Sequence, residues 1–568
     1  MSWLVDDIGR TIARWTGRSF ERAARDPRAA QLERLKRLVH DRKDTAFGRD
    51  HGFASIDSPE AYRAAVPMRD YEGFRPYIDR IVMGEKRILT REEPFMFTTT
   101  SGTTDRPKLV PVTNSWRTEL RQLVRVWLYR TMVDHPGLMR DGLVSLVSPA
   151  VEGYTEQGTP IGSVSGITYQ KVPFYIQSTY VVPYGVMTIE DYDLRYLLAT
   201  RYALARRASM CVAPNPSTFL RMAELGNRES ESIIHAIHDG TLGIPETQQL
   251  SAHDREICAK LTADLKPNPA WAKSMEKARA VDGVLRPKDL WPNFKLVGCW
   301  LGGSCGVQAN RLIDWYGDVA FRDPGFRATE ATMTVPVRDS TAEGVLALNA
   351  NFYEFIPVDE IESSDPPVLL ADELEVGGQY YILLTTRGGL YRYDINDIIE
   401  VTGTYQNSPL VAFLRKGRDM VNITGEKLHV NQIYQAAQRA SDLMDWKWEQ
   451  LQLIPDAEAA RYDLLLEPRD PNCPERALQA FVIAFDEQLS ALNMEFAHKR
   501  KSKRLHLPRL HHMRQGWSTA HQRADVANGK RDGQYKWPYV RNEWHAISES
   551  FVLNTLDAMP PSEADTAD

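Results

Sequence analysis

The sequence predicts an α/β protein of at least two domains, and three observations predict it. The chain has 568 residues, more than one hydrophobic core ordinarily serves. Residues 294–300 read as a buried strand that runs into the Gly-rich turn Leu301-Gly302-Gly303-Ser304 and then a helix, the unit from which α/β sheets are built. A polar, Gly-containing stretch near 415–425 reads as a hinge, and beyond it helix and strand are mixed in a smaller domain.

Composition narrows the class. A hydrophobic content of 43% with 25% charged residues describes a globular chain with cores to bury. A net charge of −6 argues against general nucleic-acid binding, and no apolar run reaches membrane-spanning length. The five cysteines are odd in number and lack paired-motif spacing, so reduced thiols, no zinc site and a cytoplasmic location are expected. Arg10, Arg14, Arg18 and Arg22 would share a helix face, as in a transit peptide. Asp6, Asp7 and Glu21, with the pattern continuing through Leu32, Leu35 and Leu38, favour an ordinary domain-start helix.

In chain order, residues 1–50 read as helices ending in a turn at 45–53. Lys108 opens the strand-like run Leu109-Val110-Pro111-Val112, so the Ser/Thr-rich segment before it should join two strands. Residues 116–134 are helical and 144–147 a buried strand. Residues 151–185, rich in Gly, Tyr, Pro and β-branched side chains, are expected to be strands and loops lining an acid pocket. Residues 189–265 are mostly helical, with His235 and His238 on a helix surface or in a core rather than on a metal. Residues 270–290 are loop or helix. A strand over 380–386 turns at Arg387-Gly388-Gly389 and resumes as extended chain, and the basic run at 498–504 reads as a solvated helix end. The expected boundaries are 1–415 for the large domain, 416–425 for the hinge, 426–550 for the small domain and 551–568 for a disordered tail.

The segment Thr98-Thr99-Thr100-Ser101-Gly102-Thr103-Thr104-Asp105-Arg106-Pro107-Lys108 surrounds one Gly with short donors and ends in a cation. Backbone N–H groups and hydroxyls in a tight turn can wrap phosphate oxygens. It is not a Walker loop, whose Lys opens a helix. A Ser/Thr-rich surface turn is the alternative on composition alone. The order Thr-Ser-Gly-Thr-Thr-x-x-Pro-Lys resembles the phosphate loop of the adenylate-forming enzymes. Its continuation Leu109-Val110-Pro111-Val112-Thr113 is most similar to the auxin-responsive Gretchen Hagen three family of acyl-acid amido synthetases. The turn at 45–53, and Val66-Pro67 followed by Tyr71, resemble segments of bacterial members.

Further stretches carry the same resemblance. Phe326-Arg327-Ala328-Thr329-Glu330 is similar to the family's Tyr-x-Ser-Ser-Glu element beside the adenine, with Ala328 in place of a Ser; the run from Asn351 to Val358 is similar to the strand that follows. Gly389-Leu390-Tyr391-Arg392-Tyr393-Asp394-Ile395-Asn396-Asp397 is similar to Gly-Leu-Tyr-Arg-Tyr-x-x-Gly-Asp, with Asn396 in place of Gly; an exposed Asp on a hairpin is the alternative reading. The hinge is similar through Lys427, with Arg415, Lys416 and Arg418 as alternatives for a second cation. Gln534-Tyr535-Lys536-Trp537-Pro538-Tyr539 is similar to Gln-Tyr-Lys-x-Pro-Arg, with Tyr539 in place of the Arg and Arg541 nearby.

The resemblance implies a large N-terminal α/β domain with a β-barrel portion, a small C-terminal α+β domain, and nucleotide between them. It implies a carboxylic acid and ATP giving acyl-AMP and pyrophosphate, with Mg²⁺, followed by attack of an amine, usually an amino acid, to form an amide. Thr100, Ser101, Thr103, Thr104 and Lys108 would take the terminal phosphates, Phe326 and Thr329 would line the nucleotide, and Glu330 would face the metal. Asp397 would accept from the ribose hydroxyls, and Lys427 and Lys536 would reach the phosphates. The expected partners are small molecules, with no nucleic acid and no membrane, and the expected state is a monomer. A thioester ligase of the same architecture is the first rival, and a non-catalytic ligand-binding relative the second. The second predicts damaged motifs, whereas Glu330, Asp397 and Lys536 are all retained.

Overall fold

The computed structural model describes residues 17–100, 108–172, 174–302, 304–361, 363, 365–417, 420–421, 423, 426, 428–501, 503–528 and 535–557. The assignments to Ser101, Thr103, Thr104, Arg418 and Lys427, and to the Thr100 side chain, fall outside it. The chain divides into two compact units, Met1–Leu414 and Arg415–Asp568.

The first unit opens with helices. Pro27–His40 (α1) starts where the Asp26 side chain accepts the Ala29 N–H, and Tyr71–Val82 (α2) where Asp70 accepts from Gly73. Met96–Thr100 (β1) and Lys108–Val112 (β2) pair antiparallel with Thr100 opposite Lys108, so the Ser/Thr-rich segment does join two strands. Thr113 then caps the long helix Asn114–Asp134 (α3).

A four-stranded parallel sheet follows. Its strands are Gly142–Ser145 (β3), Ala208–Val212 (β4), Leu296–Gly298 (β5) and Ala320–Arg322 (β6), adjacent in that order. Tyr192–Leu204 (α4) lies between β3 and β4 in the chain, and Ser217–Arg228 (α5) between β4 and β5. Val144, Cys211, Val297 and Phe321 bury against Leu198 and Phe219 of these helices, which is why the strands read as continuous apolar runs.

Residues 151–185 depart from the expected strands and loops. Strand is confined to Gly153–Tyr154 and Pro160–Ile161, and Val164–Gln170, Phe174–Gln177 and Tyr184–Met187 are helical. The Ser163 side chain caps the first of these helices, and Gly166 lets it press on the 148–150 backbone, where a Cβ would come within 2.4 Å of the Ser148 carbonyl. Tertiary contact here overrides composition. The stretch over 270–290 resolves largely as helix, Pro269–Arg279 capped by Asn268.

The rest of the first unit is a six-stranded sheet. Thr334–Val335 (β7), Gly344–Leu346 (β8), Phe352–Pro357 (β9), Gln379–Thr385 (β10), Tyr393–Tyr405 (β11) and Ser408–Lys416 (β12) lie in the order β9-β10-β11-β12-β8-β7. Its core joins Phe352, Phe355, Ile382, Leu384 and Ile399 to Leu35 and Leu38 of α1 and Phe74 and Ile78 of α2.

The second unit is α+β. Met420–Val421 (β13) and Leu428–His429 (β14) form a short antiparallel pair before the helix Val430–Leu443 (α6). Trp448–Asp456 (β15), Arg461–Pro468 (β16), Arg509–Met513 (β17) and Val552–Asp557 (β18) form a four-stranded sheet, with helices Glu475–Leu492 (α7) and Trp517–Ala527 (α8) in the connections. Ile433, Leu451, Leu464, Phe481 and Phe485 make its core. The last strand corrects the expected tail. Residues 552–557 pair antiparallel with β17, so ordered chain continues past 550. Its residues alternate half-buried and exposed, the pattern of an edge strand with one wet face.

No described helix is long and apolar enough to cross a membrane. The five cysteines are buried and joined in no disulfide among the described residues, and His235 and His238 lie on a helix surface, each beside Asp239.

Candidate active site

Asp397 is delivered by a bulge. Between the pairs Leu383–Asp394 and Tyr381–Ile398, β10 has one residue, Ile382, and β11 has three, Ile395, Asn396 and Asp397. The turn needs a left-handed residue, and Asn396 supplies it at φ +59°. The Asn396 N–H donates to Asp394 Oδ1 at 2.7 Å, closing the turn locally. Asp397 is 2% exposed, so it is not the exposed hairpin residue of the alternative reading.

The turn before β11 is equally fixed. Gly389 has φ +99° and Arg392 φ +47°. Arg392 Nε donates to Glu354 Oε2 at 2.9 Å, its Nη1 to the Val66 carbonyl at 2.9 Å, and Arg63 Nε to the other Glu354 oxygen at 3.0 Å. With Glu354 fully buried, this knot locks the start of β11.

Glu330 sits in a short hairpin after β6, in which Arg327 bridges Thr332 and the Ala328 N–H donates to the Ala331 carbonyl. Glu330 is 7% exposed, and its Oε1 accepts the Tyr393 hydroxyl at 3.1 Å. Burial, reinforced by that carboxylate, holds the Tyr393 hydroxyl protonated far above its ordinary range. Trp116 Nε1 donates to the Glu330 carbonyl at 3.2 Å. Phe326 packs its ring on Phe413 at 5.3 Å, and Thr329 is half-buried at the hairpin tip.

Asp323, just past the carboxyl end of β6, organises both turns at that edge of the parallel sheet. Its Oδ2 accepts the Leu301 N–H at 2.7 Å, and its Oδ1 accepts the Gly325 N–H at 2.7 Å. Burial raises its carboxyl to about 6 despite the two donors. Ligands in open α/β sheets bind at this edge.

Lys108 joins the same neighbourhood. Its Nζ lies 5.5 Å from the centre of the Tyr71 ring. The Tyr71 hydroxyl donates to the Leu109 carbonyl at 3.0 Å and accepts the Leu109 N–H at 2.7 Å, tying α2 to β2. Burial pushes that hydroxyl to about 12. Tyr71 shares α2 with Phe74, whose ring meets that of Tyr393 edge-on at 5.9 Å. Lys108 thus reaches α2 through Tyr71 and Glu330 reaches the start of the Asp397 strand through Tyr393, with Phe74 of α2 in contact with Tyr393.

In the second unit, Lys536 is exposed on a segment held at both sides. Tyr535 is buried, and its hydroxyl donates to Asp525 Oδ2 at 3.1 Å. Trp537 Nε1 donates to the Leu451 carbonyl, Gln452 Nε2 to that of Pro538, and the Leu453 N–H to that of Tyr539. Tyr539, where the motif has Arg, is a core residue packed against Tyr434 at 5.3 Å. Glu426, before Lys427, is fully buried, and its Oε1 accepts the Ile423 N–H and the Tyr462 hydroxyl. Arg415 and Lys416 end β12.

Sequence reasoning passed over Asp323, Trp116 and Tyr393 as site-builders. Tyr393 stood inside a recognised motif. For Asp323 the signal was a strand followed by Asp-Pro-Gly, since a carboxylate before a turn can cap its N–H groups. Trp116 carried none.

A parallel sheet with acidic side chains at its carboxyl edge, an adjoining sheet with a buried Asp on a bulge, and a separate α+β unit define a two-part α/β enzyme of the adenylate-forming architecture. The chain belongs to the GH3 family: the GH3 family N-terminal domain matches residues 16–321, the central domain 344–416 and the C-terminal domain 429–544. Among curated relatives, indole-3-acetic acid-amido synthetase GH3.3 of Arabidopsis thaliana is 22% identical over 449 residues, 75% of this chain and 73% of that protein. Jasmonoyl-L-amino acid synthetase GH3.5 of Oryza sativa subsp. japonica is 23% identical over 458 residues, 75% of this chain and 77% of that protein. Among solved structures, the GH3.15 acyl acid amido synthetase superposes with a TM-score of 0.82 at 20% identity, covering 94% of this chain and 95% of the other.

Proposed function

We propose that this chain is an ATP-dependent acyl-acid amido synthetase, which activates a carboxylic acid as acyl-AMP and passes the acyl group to an amine. The observation that carries the reading is the match of all three GH3 family domains, in order, along one chain. The relatives' names support an acid such as indole-3-acetate or jasmonate and an amino acid as acceptor. In this reading the chain acts as a cytoplasmic monomer on small molecules.

The chemistry sets the roles. A carboxylate is a poor electrophile because its leaving group would be oxide; its attack on the α-phosphorus of ATP expels pyrophosphate and leaves AMP as a workable leaving group. The amine then attacks the acyl carbon, loses its proton and expels AMP. The enzyme must orient both reactants and oppose the charge on the phosphates. Asp397 fits the ribose hydroxyls, because an ionised carboxylate accepts from both. Lys108, with the hydroxyls of Thr100, Ser101, Thr103 and Thr104, is assigned to the terminal phosphates. Phe326 and Thr329 are assigned to the nucleotide, and Lys427 and Lys536 to the reacting phosphate.

Mg²⁺ fits Glu330. The carboxylate is buried, Tyr393 occupies Oε1, and no other donor reaches the side chain among the described residues. No three His, Cys, Asp or Glu side chains converge among those residues, which suits an ion held by one carboxylate and phosphate oxygens. Bound there, the ion would offset phosphate charge, while Tyr393 keeps the carboxylate oriented.

The test is order of release. Purified protein with ATP, Mg²⁺ and a panel of carboxylic acids, started with indole-3-acetate and jasmonate, should release pyrophosphate before any amine is added. Amino acids should then yield amide and AMP. Release of ADP and phosphate instead would overturn the reading.

A further inference from the structure

The Arg327 guanidinium is a cation that the proposed roles do not use. Phe326 and Ala328 pack into the core of the first unit. Arg327, between them on a strand-like hairpin, therefore projects from the opposite face. Asp323 is near enough that each group feels the other's charge. Both Asp323 oxygens already accept N–H groups, from Leu301 and from Gly325. Arg327 Nε is buried with no hydrogen-bond partner. Burial pulls the guanidinium down to about 10. Arg327 is half-buried as a residue, and its buried, unpartnered Nε is a donor that a ligand anion would complete. Arg327 also lies two residues before Thr329 and three before Glu330, at the carboxyl edge of the parallel sheet.

We propose that Arg327 binds a carboxylate of a reactant, the group that the acyl acid and an amino-acid acceptor both carry. Its planar fork matches two carboxylate oxygens with parallel N–H···O bonds. The first motif already supplies hydroxyls and Lys108 for the terminal phosphates, which leaves this fork for a different anion. Arg327 would thus decide which carboxylate is held beside the α-phosphate. The inference rests on the amide-ligase reading.

The test uses the full chain and its Arg327→Gln, Arg327→Met and Arg327→Lys variants. The substrates are ATP, the acid giving the fastest pyrophosphate release from an aryl and alkyl panel, and the amino acid giving the fastest amide formation. The Gln and Met variants should raise KM for one carboxylate substrate by about ten- to a hundredfold, the loss expected for a charge-assisted bidentate contact, with KM for ATP within about twofold. The Lys variant should lose less, and guanidinium chloride should partly restore the Met variant. A rise in KM for the acid, seen in pyrophosphate release, assigns the site to the acyl acid. A rise confined to the amide step assigns it to the amino acid. Unchanged constants for both carboxylates, a rise in KM for ATP alone, or loss of the folded state in all three variants would overturn the proposal. Wild-type protein that releases no pyrophosphate with any acid would instead overturn the activity reading.

Discussion

Asp323 and Asp397 are both buried carboxylates, yet their surroundings predict different behaviour. Asp323 serves the fold: it accepts two backbone N–H groups and spans the turns after β5 and β6. Its carboxyl is raised to about 6, above the value near 4 of an unfolded chain. The folded state therefore binds the proton more tightly. That contribution is complete below about pH 4 and is lost as pH rises through about 6, up to about 3 kcal/mol. In Asp323→Asn, denaturant-unfolding stability should vary less over this interval than in the parent; equal slopes would contradict the raised carboxyl. The variant should also lose about 1–3 kcal/mol, because an amide offers one acceptor oxygen for two donors. Asp397 serves the ligand in the proposed reading. Asp397→Ala should raise KM for ATP about tenfold or more with a small change in melting temperature, read from pyrophosphate-release kinetics and thermal unfolding. An unchanged KM would remove it from the nucleotide site.

The bulge on β11 shows which features of this fold a sequence can carry. Asn396 stands where the motif has Gly, and its φ of +59° explains why Asn is tolerated there. Asn396→Gly should leave stability and KM for ATP nearly unchanged. Asn396→Val should cost about 1–2 kcal/mol and displace Asp397, because a β-branched residue resists this backbone. Unfolding midpoints and KM for the two variants check this, and equal behaviour would mean that the bulge does not set the position of Asp397. Such positions were legible because a left-handed turn or a buried parallel strand restricts residue type locally. The helices within 151–185 were not, because their apolar and Gly-rich composition suits strand or loop until Ser163 caps one and Gly166 seats it on the 148–150 backbone. The edge strand β18 was missed for a related reason: Val552, Asn554 and Leu556 are only half-buried, and pairing with β17 defines it. The Glu330–Tyr393 bond joins residues 63 positions apart, a pairing that spacing alone does not state.

At the scale of the molecule, Glu330 and Asp397 belong to one compact unit and Lys536 to the other. The second unit invests heavily in placing that lysine. Tyr535 on one side bonds Asp525, Trp537 on the other bonds the Leu451 carbonyl, and the following residues hydrogen-bond along β15. Lys536 itself stays exposed, and these contacts fix the backbone on either side of it. The proposed task is charge opposition at the α-phosphate while pyrophosphate leaves. That charge develops in adenylation and much less in the amide step, where AMP departs from an acyl carbon. Lys536→Ala should therefore lower the rate of acid-dependent pyrophosphate release by about 10²-fold or more, the scale of losing one group aimed at developing charge. Amide formation from supplied acyl-AMP should fall far less. KM for ATP should change modestly, because Lys108 and Asp397 remain, and the melting temperature should hold, because an exposed side chain contributes little to stability. Both half-reactions and thermal unfolding should be measured on the same preparation. Equal losses in the two half-reactions with an unchanged melting temperature would place Lys536 in amine positioning rather than at the α-phosphate, and full activity in both would remove it from the reaction.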